Sequence, residues 1–326
     1  MNQIIIKTDG NNTIGLGHVY RSLNLAKELK KKNIKVIFLT KSIILKKIIP
    51  KSFTVKNIRN KKNELQKILD SINPKIIVID NLKENSNELK ILGGKSKIIA
   101  IDYTGKNKKM IKFGINMLYQ KSGIRGKNSF SGFDLTILSE SIRNKNPIKI
   151  SRKVKKILVM QGGSDTPCNT PKIIESLNEI NEDIQINVIV GASFECWKKL
   201  EKSINNSSHH VKLFYNSKNI GKIMIGNDMA ITGGGMTSLE LCHLGIPSII
   251  ICGESFENET ASLLEKKGFG INLGYNKKIS KEKIAVVSKE LMMNYEQRGK
   301  MNKMGQKLID GNGAKRVSSI IERMIK

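Results

Sequence analysis

The stretch AITGGGMTSLELCHLGIPSIIIC, residues 230–252, decides how this chain is read. An apolar strand runs into three glycines, a helix opens at Met236 and Thr237, and Gly245-Ile246-Pro247 stops it before the next apolar run. At such a helix start the backbone amides of Gly234, Gly235, Met236 and Thr237 would point at an incoming anion, a diphosphate above all, helped by the Thr237 hydroxyl. Glu240 stands about one turn further in, where a carboxylate accepts vicinal ribose hydroxyls without meeting the phosphates. The plainer alternative is that the glycines serve close helix–strand packing and Glu240 is solvated.

The same alternation extends in both directions. Short apolar runs at 3–8, 34–40, 53–58, 75–80, 97–101, 114–118 and 135–138 read as strands, with helices at 19–32, 63–71 and 84–92. A polar, basic stretch carrying Pro147 predicts an interdomain linker near 141–153. The pattern then restarts, with strands at 157–160, 186–190, 211–214, 229–232 and 248–252. Helices are predicted at 170–180, 194–204, 236–244 and 258–267, followed by a helical tail split at Gly299 and at 311–313. This is the signature of two parallel α/β domains, 1–145 and 153–326, with a ligand expected between the carboxyl ends of their strands. A length of 326 residues suits two cores, since domains usually run to about 100–150 residues.

Composition narrows the class without naming a partner. No run of apolar residues is long enough for a membrane span or a signal peptide. Cys168, Cys196, Cys242 and Cys252 lack CxxC spacing and read as buried thiols of a cytoplasmic protein. The formal charge of +29 invites a nucleic-acid reading, but the lysines are spread from end to end and aromatics make up only 5%. The charge predicts weak attraction to anionic surfaces and metabolites, and no specific nucleic-acid partner.

A second glycine turn, GLGHVYRS at 15–22, puts His18 where a helix begins. It is a poor dinucleotide fingerprint, because Tyr20 stands where the third glycine belongs and no acidic residue follows the second strand. A P-loop fails too: before Gly94-Lys95-Ser96, position 89 is Leu. Gly15 and Gly17 permit close backbone approach, and Arg21 with the helix dipole favours a neutral imidazole, the form a general base needs. Capping or packing is the alternative for this histidine. His243 and the His209-His210 pair read as packing or loop residues. MQGGSD at 160–165 ends a strand with Gly163, Ser164 and Asp165 directed at the same ligand, and Asn258 in ESFENET adds a polar contact. No metal-ligand cluster is visible.

Taken together, GLGHVYRS, VIDN at 78–81, AIDYTG at 100–105, GGSD at 162–165, GGGMTSLE at 233–240 and FENE at 256–259 resemble one family. It is the UDP-sugar hydrolases of pseudaminic acid biosynthesis, which remove UDP from UDP-2,4-diacetamido-2,4,6-trideoxy-β-L-altropyranose. The resemblance covers nearly the whole chain, and GGxT…E is shared with related glycosyltransferases such as the lipid II N-acetylglucosaminyltransferase. It implies a GT-B fold of two Rossmann-like domains, with the C-terminal helix crossing back onto the first. UDP would sit on the second domain and His18 would activate water against the anomeric carbon, with inversion and no cofactor. Two departures stand out: Leu82 replaces the family's Tyr, and Glu259 its Gln. Transfer of the sugar to an acceptor by the same residues is the alternative activity.

Overall fold

The computed structural model describes residues 3–10, 16–59, 63–81, 83–118 and 123–325. The chain divides into two compact units, Met1–Ser139 with Gly311–Lys326, and Glu140–Asp310.

The first unit contains β1 (Gln3–Lys7), α1 (Gly17–Lys31), β2 (Lys35–Thr40), the single turn α2 (Leu45–Ile48), β3 (Thr54–Asn57), α3 (Glu64–Ile72), β4 (Ile76–Ile79), α4 (Ser86–Gly93), β5 (Lys97–Ile101), β6 (Phe113–Asn116) and β7 (Ser129–Ser131). Its strands form one parallel sheet in the order β3-β2-β1-β4-β5-β6-β7. Helices cover both faces, which is why the central strands read as unbroken apolar runs. Ile4 and Ile6 enter the core beneath α1, whereas Ile5 enters the core beneath α3 and α4.

The second unit contains α5 (Glu140–Arg143), β8 (Lys156–Met160), α6 (Asn169–Leu177), β9 (Gln185–Val190), α7 (Trp197–Asn205), β10 (His210–Tyr215), α8 (Ile220–Met224), β11 (Met229–Thr232), α9 (Met236–His243), β12 (Ser248–Cys252), α10 (Glu257–Lys266), β13 (Ile271–Tyr275), α11 (Lys281–Met293) and α12 (Tyr295–Leu308). Six parallel strands run in the order β10-β9-β8-β11-β12-β13. The basic stretch after Ser139 packs along this unit, with Arg298 donating to the carbonyls of Ser151 and Arg152 and Ile148 bonded to Leu244.

The last helix, α13 (Gly313–Ile325), returns to the first unit. Ala314, Val317, Ile321 and Ile325 recur at helical spacing and join the core under α1. Gly313 is pressed against the backbone of Leu135 and Thr136, so a side chain there would have no room. Lys32, directly after α1, pairs with Glu322 at 2.7 Å.

Three expectations from the sequence need correction. The apolar run 135–138 is core without being a strand: a 3-10 turn over Phe133–Leu135 precedes it, and Leu135, Ile137 and Leu138 are buried. The seventh strand is instead the short polar Ser129–Ser131. The tail breaks at Asn294, whose side chain accepts from the Gln297 amide at 2.9 Å, while Gly299 lies inside α12. Cys168 and Cys196 are joined in a disulfide, with Cα atoms 5.9 Å apart, and only Cys242 and Cys252 are free buried thiols. That bridge ties the loop after β8 to the start of α7, residues far apart in sequence that the strand order brings together.

Candidate functional site

In both sheets the strand order reverses direction once, at β1/β4 in the first and β8/β11 in the second, where open parallel sheets bind ligands beyond their carboxyl ends. The glycine motifs fall at these two places.

At the first, His18 lies in the opening turn of α1 with its side chain 25% exposed. Its Nδ1 is 2.8 Å from Oδ1 of Asp80, which directly follows β4 and is fully buried. Arg21, one turn along α1, donates through Nε to Asp80 Oδ2 at 3.1 Å, through Nη2 to Oδ1, and through Nη1 to Asp102 Oδ2 at 2.5 Å. Ser22 Oγ donates to Asp80 at 2.9 Å. Asp102 follows β5 with φ of +48°, and its other oxygen accepts the amides of Met117 and Leu118 at 2.8 and 3.0 Å. Burial opposes ionisation of Asp80, but Arg21 beside it and the bond to His18 outweigh that and hold its carboxyl well below the usual carboxylate range. Arg21 is likewise penalised by burial and held above its ordinary value by both aspartates.

The protonation pattern follows from these charges. Nδ1 of His18 lies 2.8 Å from the acceptor Asp80 Oδ1 and 3.2 Å from the donor Arg21 Nη2. The shorter contact is to the ionised, acceptor-only carboxylate, which fits an Nδ1 that carries the proton. In the neutral ring Nε2 then holds the lone pair, the arrangement of a general base oriented by a carboxylate. The sequence reading placed Arg21 beside the histidine but did not assign Asp80 or Asp102. Their signal was present: an aspartate directly after the apolar strands VID and AID, on neighbouring strands, at the sheet's carboxyl edge. A second charge cluster sits alongside. Lys7, at the end of β1 and almost fully buried, pairs with Glu84 at 2.6 Å and lies 3.6 Å from Asp9 and Glu88. Asn81 links Asp9 and Glu84, so this cluster fixes the turns on either side of Asp80. Gly17 begins α1 in open space, while Gly15 and Leu82 lie outside the described residues.

At the second switch point β11 ends in Thr232, Gly233 to Gly235 turn, and α9 starts at Met236. Gly234 cannot be anything larger: a Cβ would lie 2.8 Å from that of Glu257 and 3.1 Å from the Cys252 sulfur. Thr237 is buried. Glu240 is partly buried, its carboxylate has no hydrogen-bond or ion-pair partner among the described residues, and burial pushes it up to about 7. Two further buried polar atoms beside the turn, Gln161 Nε2 and Thr232 Oγ1, also lack partners among the described residues. These two atoms lie at the carboxyl ends of the two central strands, β8 and β11.

The remaining predicted residues divide. Gly162 takes φ of +78°, and Gly163 and Ser164 sit on the loop after β8 with open space at Gly163. Asp165 does not face outward as expected from GGSD: it is buried, and its two oxygens accept the amides of Asn169 and Thr170, both at 2.8 Å, capping α6. Asn258 is in the first turn of α10, its side-chain carbonyl accepting from Asn272 of β13 at 2.9 Å. His243 is buried and bonded through Nδ1 to the Ile309 carbonyl at 2.9 Å, a packing role. Among the described residues no group of three or more His, Cys, Asp or Glu is placed to hold a metal ion, and no helix is long and apolar enough to cross a membrane.

Two parallel-sheet Rossmann-like units with these turns make this a GT-B protein, an architecture shared with solved structures. MurG of Acinetobacter baumannii superposes with a TM-score of 0.71 over 99% of this chain and all of that one, at 11% identity. Residues 157–323 match the glycosyltransferase family 28 C-terminal domain, and the chain belongs to that family. It is 31% identical over 277 residues to an uncharacterised protein of Methanocaldococcus jannaschii, covering 79% of this chain but only 57% of that longer relative. It is 22% identical over 340 residues to the spore coat polysaccharide biosynthesis protein SpsG of Bacillus subtilis, covering 97% of each.

Proposed function

We propose that the protein hydrolyses a UDP-activated sugar, a diacetamido trideoxy hexose bound for a nonulosonic acid of the pseudaminic type. The observation that carries this reading is the His18–Asp80 pair, a histidine whose Nε2 is left free as a base because its Nδ1 donates to a buried carboxylate. In the proposed step Nε2 takes a proton from water as the oxygen attacks the anomeric carbon. The C1–O bond breaks with inversion, and its electron pair leaves on the β-phosphate oxygen of UDP. The amides of Gly235, Met236 and Thr237, at the start of α9, receive the diphosphate, as helix N-termini favour anions. Glu240 accepts the ribose hydroxyls, which fits a carboxylate that otherwise has no partner. Gly17, Gly163, Ser164 and Asn258 line the proposed substrate. Arg21 acts through Asp80 and Asp102 as a positioning residue.

A glycosyltransferase is the second reading, favoured by the family to which residues 157–323 belong. SpsG, by its name a polysaccharide biosynthesis protein, fits either a sugar supplier or a sugar transferase for a surface glycan. The discriminating experiment gives purified protein a panel of UDP-sugars and follows UDP and free sugar by NMR. Hydrolysis predicts UDP release without an acceptor, falling about 10²–10⁴-fold in His18→Ala. Full release by His18→Ala would remove the base assignment, and release only on adding an acceptor would make the protein a transferase.

A further inference from the structure

One carboxylate in the second unit already occupies part of the anion cradle. Glu257 opens α10, and its Oε2 accepts the Gly253 amide at 2.8 Å and the Glu254 amide at 3.3 Å. The Gly234 backbone packs against the same side chain, a Cβ built there lying 2.8 Å from that of Glu257. On the other side, a Cβ built at Gly235 would lie 3.1 Å from Oε1, and one at Gly233 would lie 4.0 Å from Oε2. The side chain thus bridges the glycine turn after β11 and the turn after β12, in front of the positive end of α9. No basic side chain pairs with it among the described residues, and the Glu254 charge acts on it unfavourably. Burial together with Glu254 holds its carboxyl above the ordinary glutamate range, against the pull of the neighbouring amides.

We infer that Glu257 is an internal stand-in for a phosphate, competing with the diphosphate for the Gly233–Gly235 turn and so keeping affinity for the UDP product low. This rests on the UDP-site reading above. A carboxylate lodged against the turn that takes an incoming diphosphate either withdraws or repels it. At contact distance in a partly buried site, like charges shift an equilibrium by about tenfold or more. A hydrolase whose product is UDP gains turnover from such a limit, because product release then does not wait on a tight diphosphate complex. Neutralising the carboxylate while keeping its shape removes the repulsion and preserves an oxygen for the Gly253 amide.

The test is calorimetric titration of UDP and of uridine into wild type and Glu257→Gln. The expected result is UDP binding at least about fivefold tighter in the variant, with uridine affinity unchanged. Equal or weaker UDP binding by Glu257→Gln overturns the inference while leaving the UDP site standing, and assigns the carboxylate to bracing the two turns. An equal gain for uridine also overturns it, since the effect would not then act on the phosphates. Glu257→Met, of similar length and without charge, predicts the same gain and serves if the glutamine protein is unstable. Failure of both variants to fold assigns Glu257 to the fold and overturns competition. Absence of UDP binding to every protein, wild type included, overturns the nucleotide-site reading itself.

Discussion

At the switch point of the first sheet every buried charge meets an opposite one: Arg21 lies between Asp80 and Asp102, and Lys7 among Asp9, Glu84 and Glu88. At the same point of the second sheet, Glu240 and Glu257 face no basic side chain among the described residues, and Gln161 and Thr232 each keep an unpartnered buried atom. The strand order is of one kind in both, so the contrast belongs to the loops. A group that must hold one tautomer through a reaction is fixed in advance by full pairing. A surface that must take up and release a ligand leaves its polar groups to be satisfied by that ligand. The first site is therefore expected to lose chemistry and stability together on mutation, and the second to change binding and pH response.

The largest effect is expected at Asp80. Asp80→Asn keeps the shape, removes the charge between His18 and Arg21, and offers Nδ1 an amide that favours the other tautomer. Turnover should fall about 10³–10⁴-fold, and stability by about 3–5 kcal/mol as a buried pair loses one partner. NMR of UDP release and a denaturant melt measure the two. The pH sign follows from the depressed carboxyl: its stabilisation is present above the unfolded carboxylate range and lost as pH falls through the folded value. Wild type should thus lose stability on acidification more steeply than Asp80→Asn. UDP affinity should be unchanged in the variant. Loss of UDP binding as well would erase the division of labour between the two sites.

How much of this was legible in the sequence follows the same division. The buried strands were readable because a strand covered on both faces is a continuous apolar run, and β5, β11 and β12 begin and end where the residues predict. Of the edge strands, β3 and β10 follow the predicted runs to about one residue at each end, whereas β7 and β13 were not predicted. β7 is SFS, and β13 is broken by Gly274 at φ +87° with a register shift opposite Ile250 and Ile251, so neither carries an apolar pattern. Of the sites, the glycine turns and His18 were visible because they are local. The Asp80–Arg21–Asp102 chain was not assigned, since its members are 59 and 81 residues apart and meet only through the strand order β1-β4-β5. The Cys168–Cys196 bridge was missed for the same reason, because spacing of 28 residues carries no motif.

The second site should show the opposite pH sign. Burial raises the folded Glu240 carboxyl to about 7, above its unfolded value, so the folded state holds the proton more tightly than the unfolded chain. Stability attached to this proton is present at low pH and lost as pH rises through about 7. Glu240→Gln should therefore melt higher than wild type at pH 8 and equally at pH 5. Because the ribose hydroxyls then lose an ionised acceptor, the rise in melting temperature given by UDP should shrink in the variant. A wild type that loses no stability against Glu240→Gln between pH 5 and 8 would mean that the carboxylate is paired after all, and the contrast between the sites would fail at its clearest point.

The smallest effect tests the one residue that crosses the division. Asp165 belongs by sequence to the ligand-facing GGSD turn, yet its carboxylate is used as in the first site, fully satisfied by two backbone amides at the start of α6. If that is its whole role, Asp165→Ala costs about 1–2 kcal/mol, the range of a lost helix cap, and leaves UDP affinity within about twofold of wild type. A chemical melt and a UDP titration on the same preparation separate the two outcomes. A tenfold loss of UDP affinity with little loss of stability would return Asp165 to the ligand. The second site would then contain a preorganised acid of its own, and orphaned groups would no longer mark where the nucleotide binds.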